Sequence, residues 1–472
     1  MTVPGDAGRG RRAAAPDSAA RECRADVPET TGQEWRPDVP ETAEIMAWIE
    51  TITARGIRRP GYPADAWTER WAAGLLAGFG LDVRLAPVEV PTWHPVSATL
   101  RAHLDAGPSR LVEVEAFALP YTTPEATVTA PLARSAGPGR IAVREHAFAR
   151  LPQTFVREIA TAVHDPEGAF DELVQTLPFA PGYLEDLDGA VASGVAGYVG
   201  ALTGVPWETR DYYVPYDAVR RPVPAVWLSA SDARRVLALM DEGPCTGTLS
   251  VKSETSAATS HNVVATLPGR GDGWVIVASH HDAPWASAVE DASGVALVLA
   301  AARHWSRVSE EERPHNLLFL LTAGHMAHAA GTRAFIAENR ALLDRVVLQV
   351  HLEHAARECR AEGGRLVPTG APEPRWWFTT RRPELERLVA EALVAEDLRR
   401  SFVLPPDAFS PMPPTDGAFF HPEGVPLVHL LAAPMYLFDS ADTLDKVDEA
   451  SLVPLTRAAI RIVEGTRDWR PR

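Results

Sequence analysis

Between residues 42 and 80 the apolar positions recur at helical spacing. In "ETAEIMAWIETIT", Ile45, Trp48, Ile49 and Ile52 fall on one face of a helix. "ADAWTERWAAGLLAGFG" predicts a second helix, with Trp67, Trp71, Leu75 and Phe79 as its stripe and Gly80 as its stop. "LDVRLAPVEVPTW" then alternates as strands do. From about residue 100 to 254, short alternating segments such as "RIAV" (140–143) and "AVWLS" (225–229) sit among prolines, with one Gly/Ala-rich helix, "DLDGAVASGVAGYVGAL". That texture predicts a small β-rich unit with a few helices. After residue 255 apolar runs alternate with amphipathic stretches: "WVIVAS", "ASGVALVLAAARHWSRV", "NLLFLL", "GTRAFIAENRALLDRV", "VLQVHL", "PELERLVAEALVAEDL", "VPLVHLL" and "EASLVPLTRAAIRIVEGT". Strands alternating with helices predict a layered α/β domain with a mostly parallel central sheet. In such sheets functional sites lie beyond the carboxyl ends of the strands.

Composition adds boundaries rather than direction. The 472 residues suffice for two or three domains, and 46% hydrophobic with 23% charged residues is an ordinary globular balance. Residues 1–43 are rich in Pro, Gly, Ala and charge and are expected to be a disordered tail. Their short echo, "RADVPET" and "RPDVPET", is too brief for a solenoid and reads as duplicated linker. Cys23, Cys245 and Cys359 lie far apart and match no metal-ligand spacing. With no secretory pattern at the N-terminus, they suggest a reduced, cytoplasmic setting. No apolar stretch is long enough to span a bilayer, and a net charge of -16 argues against a nucleic-acid surface. The oligomeric state is not readable.

The chemistry gathers at three predicted strand ends. The first carries "SHHDAPWASAVEDASG", with His280, His281 and Asp282, then Glu290 and Asp291 before a helix. At the second, "TAGHMAHAAGT", come His325, Met326 and His328; the third, "HLEHAARE", supplies His351, Glu353 and His354. Eleven of the fifteen histidines fall within 261–429, so the clustering outweighs the ordinary reading of any one as a core or surface residue. Imidazole and carboxylate converging at strand ends are what a zinc site requires. Asp282 is placed to orient the His280 ring. On strand alternation His351 and Glu353 share a face while His354 points the other way.

Taken in order, "HNVVATLPG", "SHHD", "AVEDASGVALVLAAAR", the turn ending in "GT", "HLEH", "PTDGAFFHPEGVP" and "SADTLDKVD" resemble the co-catalytic zinc aminopeptidases of the aminopeptidase S and aminopeptidase Y type, whose fold glutaminyl cyclases share. The resemblance implies a zinc-exopeptidase-like three-layer α/β/α sandwich from residues 44–99 and 255–472. It also implies that 100–254 is a protease-associated insert domain. Carried over by position, the first metal's ligands fall on His280, Glu290 and Glu353, with Asp282 as the partner of His280. The resemblance further implies a cis peptide bond after Glu290. The second metal's ligands fall on Met326 and Phe438, which are poor or impossible ligands for zinc, and the general-base position falls on His325. Asp291, His281, His351, His354 and His328 are additional candidates. Three readings stay open. One is a single-metal hydrolase of a peptide or amide, with one zinc or another divalent ion. The second is a repurposed amide-forming, cyclising or amidohydrolase enzyme of small-molecule metabolism. The third is a metal-free pseudopeptidase used for binding.

Overall fold

The structure, a computed structural model of the chain, describes residues 21–22, 37–106 and 109–471. Most of the expected disordered tail therefore lies outside the described residues. Its last part, from Pro37, is packed: Pro37 and Pro40 are buried, and Asp38 accepts a hydrogen bond from His304.

Helices α1 (Thr42–Thr53) and α2 (Pro63–Gly78) open the described chain. There follow strands β1 (Asp82–Leu104), β2 (Glu125–Ala133), β3 (Ile141–Ala147), β4 (Ala162–His164), β5 (Gly197–Gly204) and β6 (Ala225–Leu228). Next come β7 (Cys245–Leu267), β8 (Trp274–His280), α3 (Gly294–Ser306), β9 (Asn316–Thr322), α4 (Ala330–Glu338) and β10 (Val346–Leu352). The chain closes with β11 (Arg375–Thr379), α5 (Pro383–Ala395), β12 (Ser401–Leu404), β13 (Leu427–Ala432) and α6 (Leu452–Glu464).

One large mixed sheet runs β4-β12-β11-β13-β10-β8-β9-β7-β2-β3-β5-β6. Its centre, β13-β10-β8-β9, is parallel, and antiparallel neighbours flank it on both sides. Alternate residues of these strands enter separate cores. Val275, Val277, Leu317 and Phe319 pack with α1, α3 and α6, while Ile276, Ala278, Leu318 and Leu320 pack with Phe335 and Ile336 of α4. Apolar faces on both sides explain the unbroken apolar runs in the sequence.

Two 23-residue strands, β1 and β7, pair along most of their length and carry the ladder into the segment expected to be an insert. Residues 100 and 254 lie inside them. The segment also returns to the other side of the sheet, where β4 pairs antiparallel with β12 and parallel with residues 21–22.

Helix α1 buries the expected Ile45, Trp48, Ile49 and Ile52. Helix α2 departs from expectation. Trp67, Trp71, Leu75 and Phe79 are only partly buried, and the inward face is Asp65, Thr68, Glu69, Ala72 and Leu76. Two carboxylates can face inward because they are fully partnered. Asp65 accepts from Gly61 N (2.9 Å) and His281 Nδ1 (2.8 Å), and Glu69 from His261 N (2.8 Å) and His261 Nδ1 (2.9 Å); Ser260 Oγ lies between the two acids. Buried charge is tolerated where each acceptor is satisfied.

Candidate metal centre

The four central parallel strands end on one edge, and the polar cluster sits there. His280 is the last residue of β8 and is fully buried. The loop after it brings Glu290 back to the same point through a cis Glu290–Asp291 bond, as expected. Asp442 fixes that loop by accepting from the backbone N–H groups of Ala288 (3.2 Å), Val289 (2.8 Å) and Glu290 (2.9 Å). From the other side Arg58 donates to the carbonyls of Ser287 (2.7 Å) and Glu290 (3.2 Å). Asp291 accepts from Ser279 Oγ, Gly294 N and His354 N. A Cβ at Gly294 would fall 2.3 Å from the Asp291 carboxylate, so this close approach needs glycine.

Three imidazoles present the same edge to Glu290. The Nδ1 of His280 donates to the carbonyl of Asp282 (3.0 Å), that of His354 to the carbonyl of Ala432 (2.7 Å), and that of His325 to the carboxylate of Asp416 (3.2 Å). These acceptors assign the Nδ1–H tautomer to each ring and leave Nε2 as a lone pair when the ring is neutral. From the nearest Glu290 oxygen, Nε2 lies 3.5 Å away in His280, 3.6 Å in His325 and 2.6 Å in His354. The His280 and His325 rings stack at 4.1 Å. Opposite them, Glu353 Oε1 is held by His351 Nε2 (2.7 Å) and by Asp416 N (2.9 Å); its Oε2 lies 4.0 Å from His354 Nε2.

The residues present fit a divalent metal. His280 Nε2, His354 Nε2 and both Glu290 carboxylate oxygens are buried without a hydrogen-bond partner. His354 Nε2 stands 2.6 Å from Glu290 Oε2, the distance of an ion pair when the ring is protonated. Ligand atoms ~2.1 Å from a tetrahedral zinc stand roughly 3.4 Å apart, which the 3.5 Å from His280 to Glu290 matches. The electrostatics point the same way. Burial opposes charge on His325, but the bond to Asp416 and the fields of Asp416, Glu290 and Glu353 outweigh it and raise the ring to about 10. Burial likewise opposes charge on His354, and Glu290, Glu353 and Asp291 raise it to about 10. His280 is pushed well below its usual value by burial and by the neighbouring rings. The acids thus draw positive charge to the centre, as protons on His325 and His354 or as a metal.

Several sequence expectations change. The Asp282 carboxylate does not orient His280, since the backbone carbonyl of Asp282 does that. The carboxylate instead caps the turn that carries His325, accepting from His325 N (2.9 Å) and Met326 N (2.8 Å). His354 does not point away from Glu353, because its φ of +60° breaks the strand alternation and turns its ring into the cluster. His281 belongs to the Asp65 network. Its Nδ1 faces a carboxylate and its Nε2 the carbonyl of His261 (3.0 Å), which leaves no lone pair for a metal. His328 is exposed, and its ring meets Phe419 outside the cluster. His351 shares a face with Glu353 as expected and acts by holding it. Met326 is buried in the apolar core. Phe438 packs against Phe179 and Tyr216 at 5.2 and 5.1 Å, so an aromatic wedge stands at that position.

Three site residues escaped the sequence reading: Asp416, Asp442 and Arg58. The first two lie in quoted motifs, "PTDG" and "SADT", and their polarity between apolar runs was the available signal. Arg58 offered none.

A cavity opens onto Glu290, His325, Glu353 and His354 and is roofed by Leu177, Phe179, Tyr216, Trp376, Leu437 and Phe438. The centre of a water-sized sphere has about 20 Å³ in which to move, room for roughly one or two waters. Leu177, Phe179 and Tyr216 come from the segment between β1 and β7.

Residues 262–463 match the model of Peptidase family M28. No curated protein sequence matches the chain. Among solved structures it is similar to a Peptidase M28 precursor from Shewanella amazonensis SB2B, at 20% identity over 90% of this chain and 92% of that one, with a TM-score of 0.66. It is similar to an aminopeptidase from Aneurinibacillus sp. strain AM-1, at 18% identity over 92% and 95%, with a TM-score of 0.60. BSAP, a zinc aminopeptidase from Bacillus subtilis, is similar at 14% identity over 90% and 95%, with a TM-score of 0.61. At these identities the likeness is one of fold: the chain carries the α/β fold of M28 aminopeptidases.

Proposed function

We propose that the protein is a hydrolase of a peptide or another amide that works with one divalent metal, zinc in the first instance. The observation that carries this reading is the pairing of His280 Nε2 with a Glu290 carboxylate, both fully buried and without hydrogen-bond partners, at the carboxyl ends of parallel strands. His280, Glu290 and Glu353 would hold the ion. Bound there, it would polarise an amide carbonyl and acidify water.

The remaining groups handle protons and position. Asp416 holds Nδ1–H of His325 and turns Nε2 to the cavity, 3.6 Å from Glu290, where it would serve as the base once a bound cation offsets the acids that otherwise keep the ring protonated. Asp282 fixes the turn that carries this ring, and His351 fixes Glu353. With Met326 and Phe438 at the second ion's positions, hydrolysis of simple aminoacyl anilides is expected to be weak, because a second Lewis acid and its stabilisation of the oxyanion are missing.

The cavity supports a second reading of the substrate. Roofed by Leu177, Phe179 and Tyr216, it admits only a small group at the cluster, which favours a compact amide of small-molecule metabolism over an extended peptide. Elemental analysis of the purified protein, joined to hydrolysis assays on peptide and small-amide panels with added zinc, tests both. One equivalent of metal, lost in His280→Ala and kept in His304→Ala, is expected. Metal that stays far below stoichiometry after zinc is added would overturn the proposal, and robust aminoacyl-anilide turnover would overturn the loss of the second ion.

A further inference from the structure

We infer that His354 is itself a metal ligand, so that the centre is a two-imidazole site completed by Glu290 and Glu353. This rests on the reading of the cluster as a metal centre and adds a ligand that the family resemblance does not place there.

The first argument is the state of the ring. Its Nδ1 is committed to the carbonyl of Ala432 at 2.7 Å, which leaves Nε2 to carry either a proton or a metal. That nitrogen is buried, has no hydrogen-bond partner, and lies among the Glu290 and Glu353 carboxylates at 2.6 and 4.0 Å. Without a metal a proton on Nε2 pairs with Glu290; a divalent ion would take that proton's place and bind the nitrogen and the carboxylates together. Metal-bound histidines hold their other nitrogen by such a bond to a carbonyl, and His280 is arranged in the same way through Asp282. Moreover, a ring nitrogen of His354, one of His280 and a Glu353 oxygen lie within 4.8 Å of one another.

The second argument is the backbone. His354 holds a φ of +60°, a conformation that costs any residue with a Cβ. Its N–H is held in place by the Asp291 carboxylate. That backbone is what brings the ring to the same side as Glu353; a continued strand would point it away. An unusual conformation that aims Nε2 into the polar centre is explained by a ligand role.

The third argument is the composition of the centre. The position that would supply an imidazole from the following loop is Phe438, packed against Phe179 and Tyr216. His354 supplies an imidazole from the neighbouring strand end instead.

X-ray absorption at the zinc edge of the loaded full-length protein counts bound imidazoles. Chelator competition gives the zinc affinity. Both are to be measured on wild type, His354→Gly and His354→Gln, with His304→Ala as control. Glycine accepts the positive φ without strain, so His354→Gly is expected to fold, and glutamine keeps a polar side chain in place. The expected result is one imidazole fewer in both variants than in wild type. Affinity should fall by more than the ~10–100-fold that loss of an outer-shell partner costs, with partial recovery when free imidazole is added to His354→Gly. Zinc held by an unchanged number of imidazoles in both variants would overturn the inference and leave the metal reading intact. Wild-type protein that takes up no zinc would overturn the metal reading, and this inference with it.

Discussion

Replacing Glu373 by Gln should stabilise the protein, and increasingly so as the pH rises. Glu373 is buried between β10 and β11, and its Oε1 accepts from Gln175 Nε2 at 2.6 Å. Gln175 also donates to the carbonyl of Ala433, a residue of the cavity wall, so this contact ties the roof segment to the sheet. Burial, reinforced by the nearby Glu358 and opposed by the Gln175 bond, pushes the carboxyl from its ordinary 4.5 up to about 8. The sign follows from proton counting. Below 4.5 the folded and unfolded chains both hold the proton. As the pH rises the unfolded chain releases it while the folded chain keeps it, so stability is lost progressively until the folded group titrates near 8. At ~1.36 kcal/mol per unit, the loss is below about 1 kcal/mol at pH 5 and about 3 kcal/mol at pH 7. Glutamine is nearly isosteric, can keep the oxygen toward Gln175, and cannot ionise. Unfolding entropy of ~2.1 cal/mol/K per residue over 472 residues is about 1 kcal/mol/K. The variant should therefore melt about 3 °C above wild type at pH 7 and within about 1 °C of it at pH 5. Scanning calorimetry of both proteins at the two pH values decides the matter. An equal difference at both, or a variant that melts lower at pH 7, would show that Glu373 is ionised in the fold and that the burial argument fails.

Asp65→Ala removes the carboxylate partner of His281 inside a closed network and should destabilise the chain by about 3–5 kcal/mol without changing its metal content. Metal loss with an unchanged melting temperature would instead make Asp65, Glu69 and His281 a ligand set. Asp416→Asn should lower the turnover number by about 10–100-fold while leaving KM and zinc content unaltered, since Asp416 acts through His325; an unchanged turnover number would remove His325 from the role of base. Met326→Glu with Phe438→His should raise zinc from one toward two per chain, with neither single variant doing so. A double variant that stays at one ion would trace the loss to the aromatic packing of Phe179 and Tyr216 rather than to the two ligands.

How much of this was legible in the sequence depended on the range of the physics. Burial of whole strands and of α1 follows from local periodicity, and both were readable. Helix α2 misled because its inward face is polar: Asp65 and Glu69 are satisfied by Gly61, Ser260, His261 and His281, and most of these partners lie some 190 residues or more away in sequence. Series resemblance supplied His280, Glu290 and Glu353, since their order survives divergence. His354 was assigned to the wrong face because alternation assumes an extended backbone, and its φ is +60°. Nothing local to Asp416 or Asp442 announces that one meets His325 and the other carries three N–H groups of the Glu290 loop.

The same hydrogen bonds also sort the acids of the centre. Asp282 accepts two backbone N–H groups, Asp442 three, and Asp291 two together with a serine hydroxyl. These carboxylates are scaffold, their oxygens occupied by donors that shape the loops around the strand ends. Glu353 has one oxygen so occupied and turns the other toward His354. Glu290 has neither, although it is fully buried and its backbone is held from both sides. A buried carboxylate that the fold positions so firmly costs several kcal/mol unless a cation, protonated His354 at 2.6 Å or a metal, completes it. His280 and His354, whose outer nitrogens are tied to backbone carbonyls, turn Nε2 to the same point. Protons can neutralise that arrangement, but each proton binds to a single atom. A divalent ion would satisfy all of the convergent atoms at once, and for that reason the donor pattern, more than the likeness of fold, supports the proposed metal site.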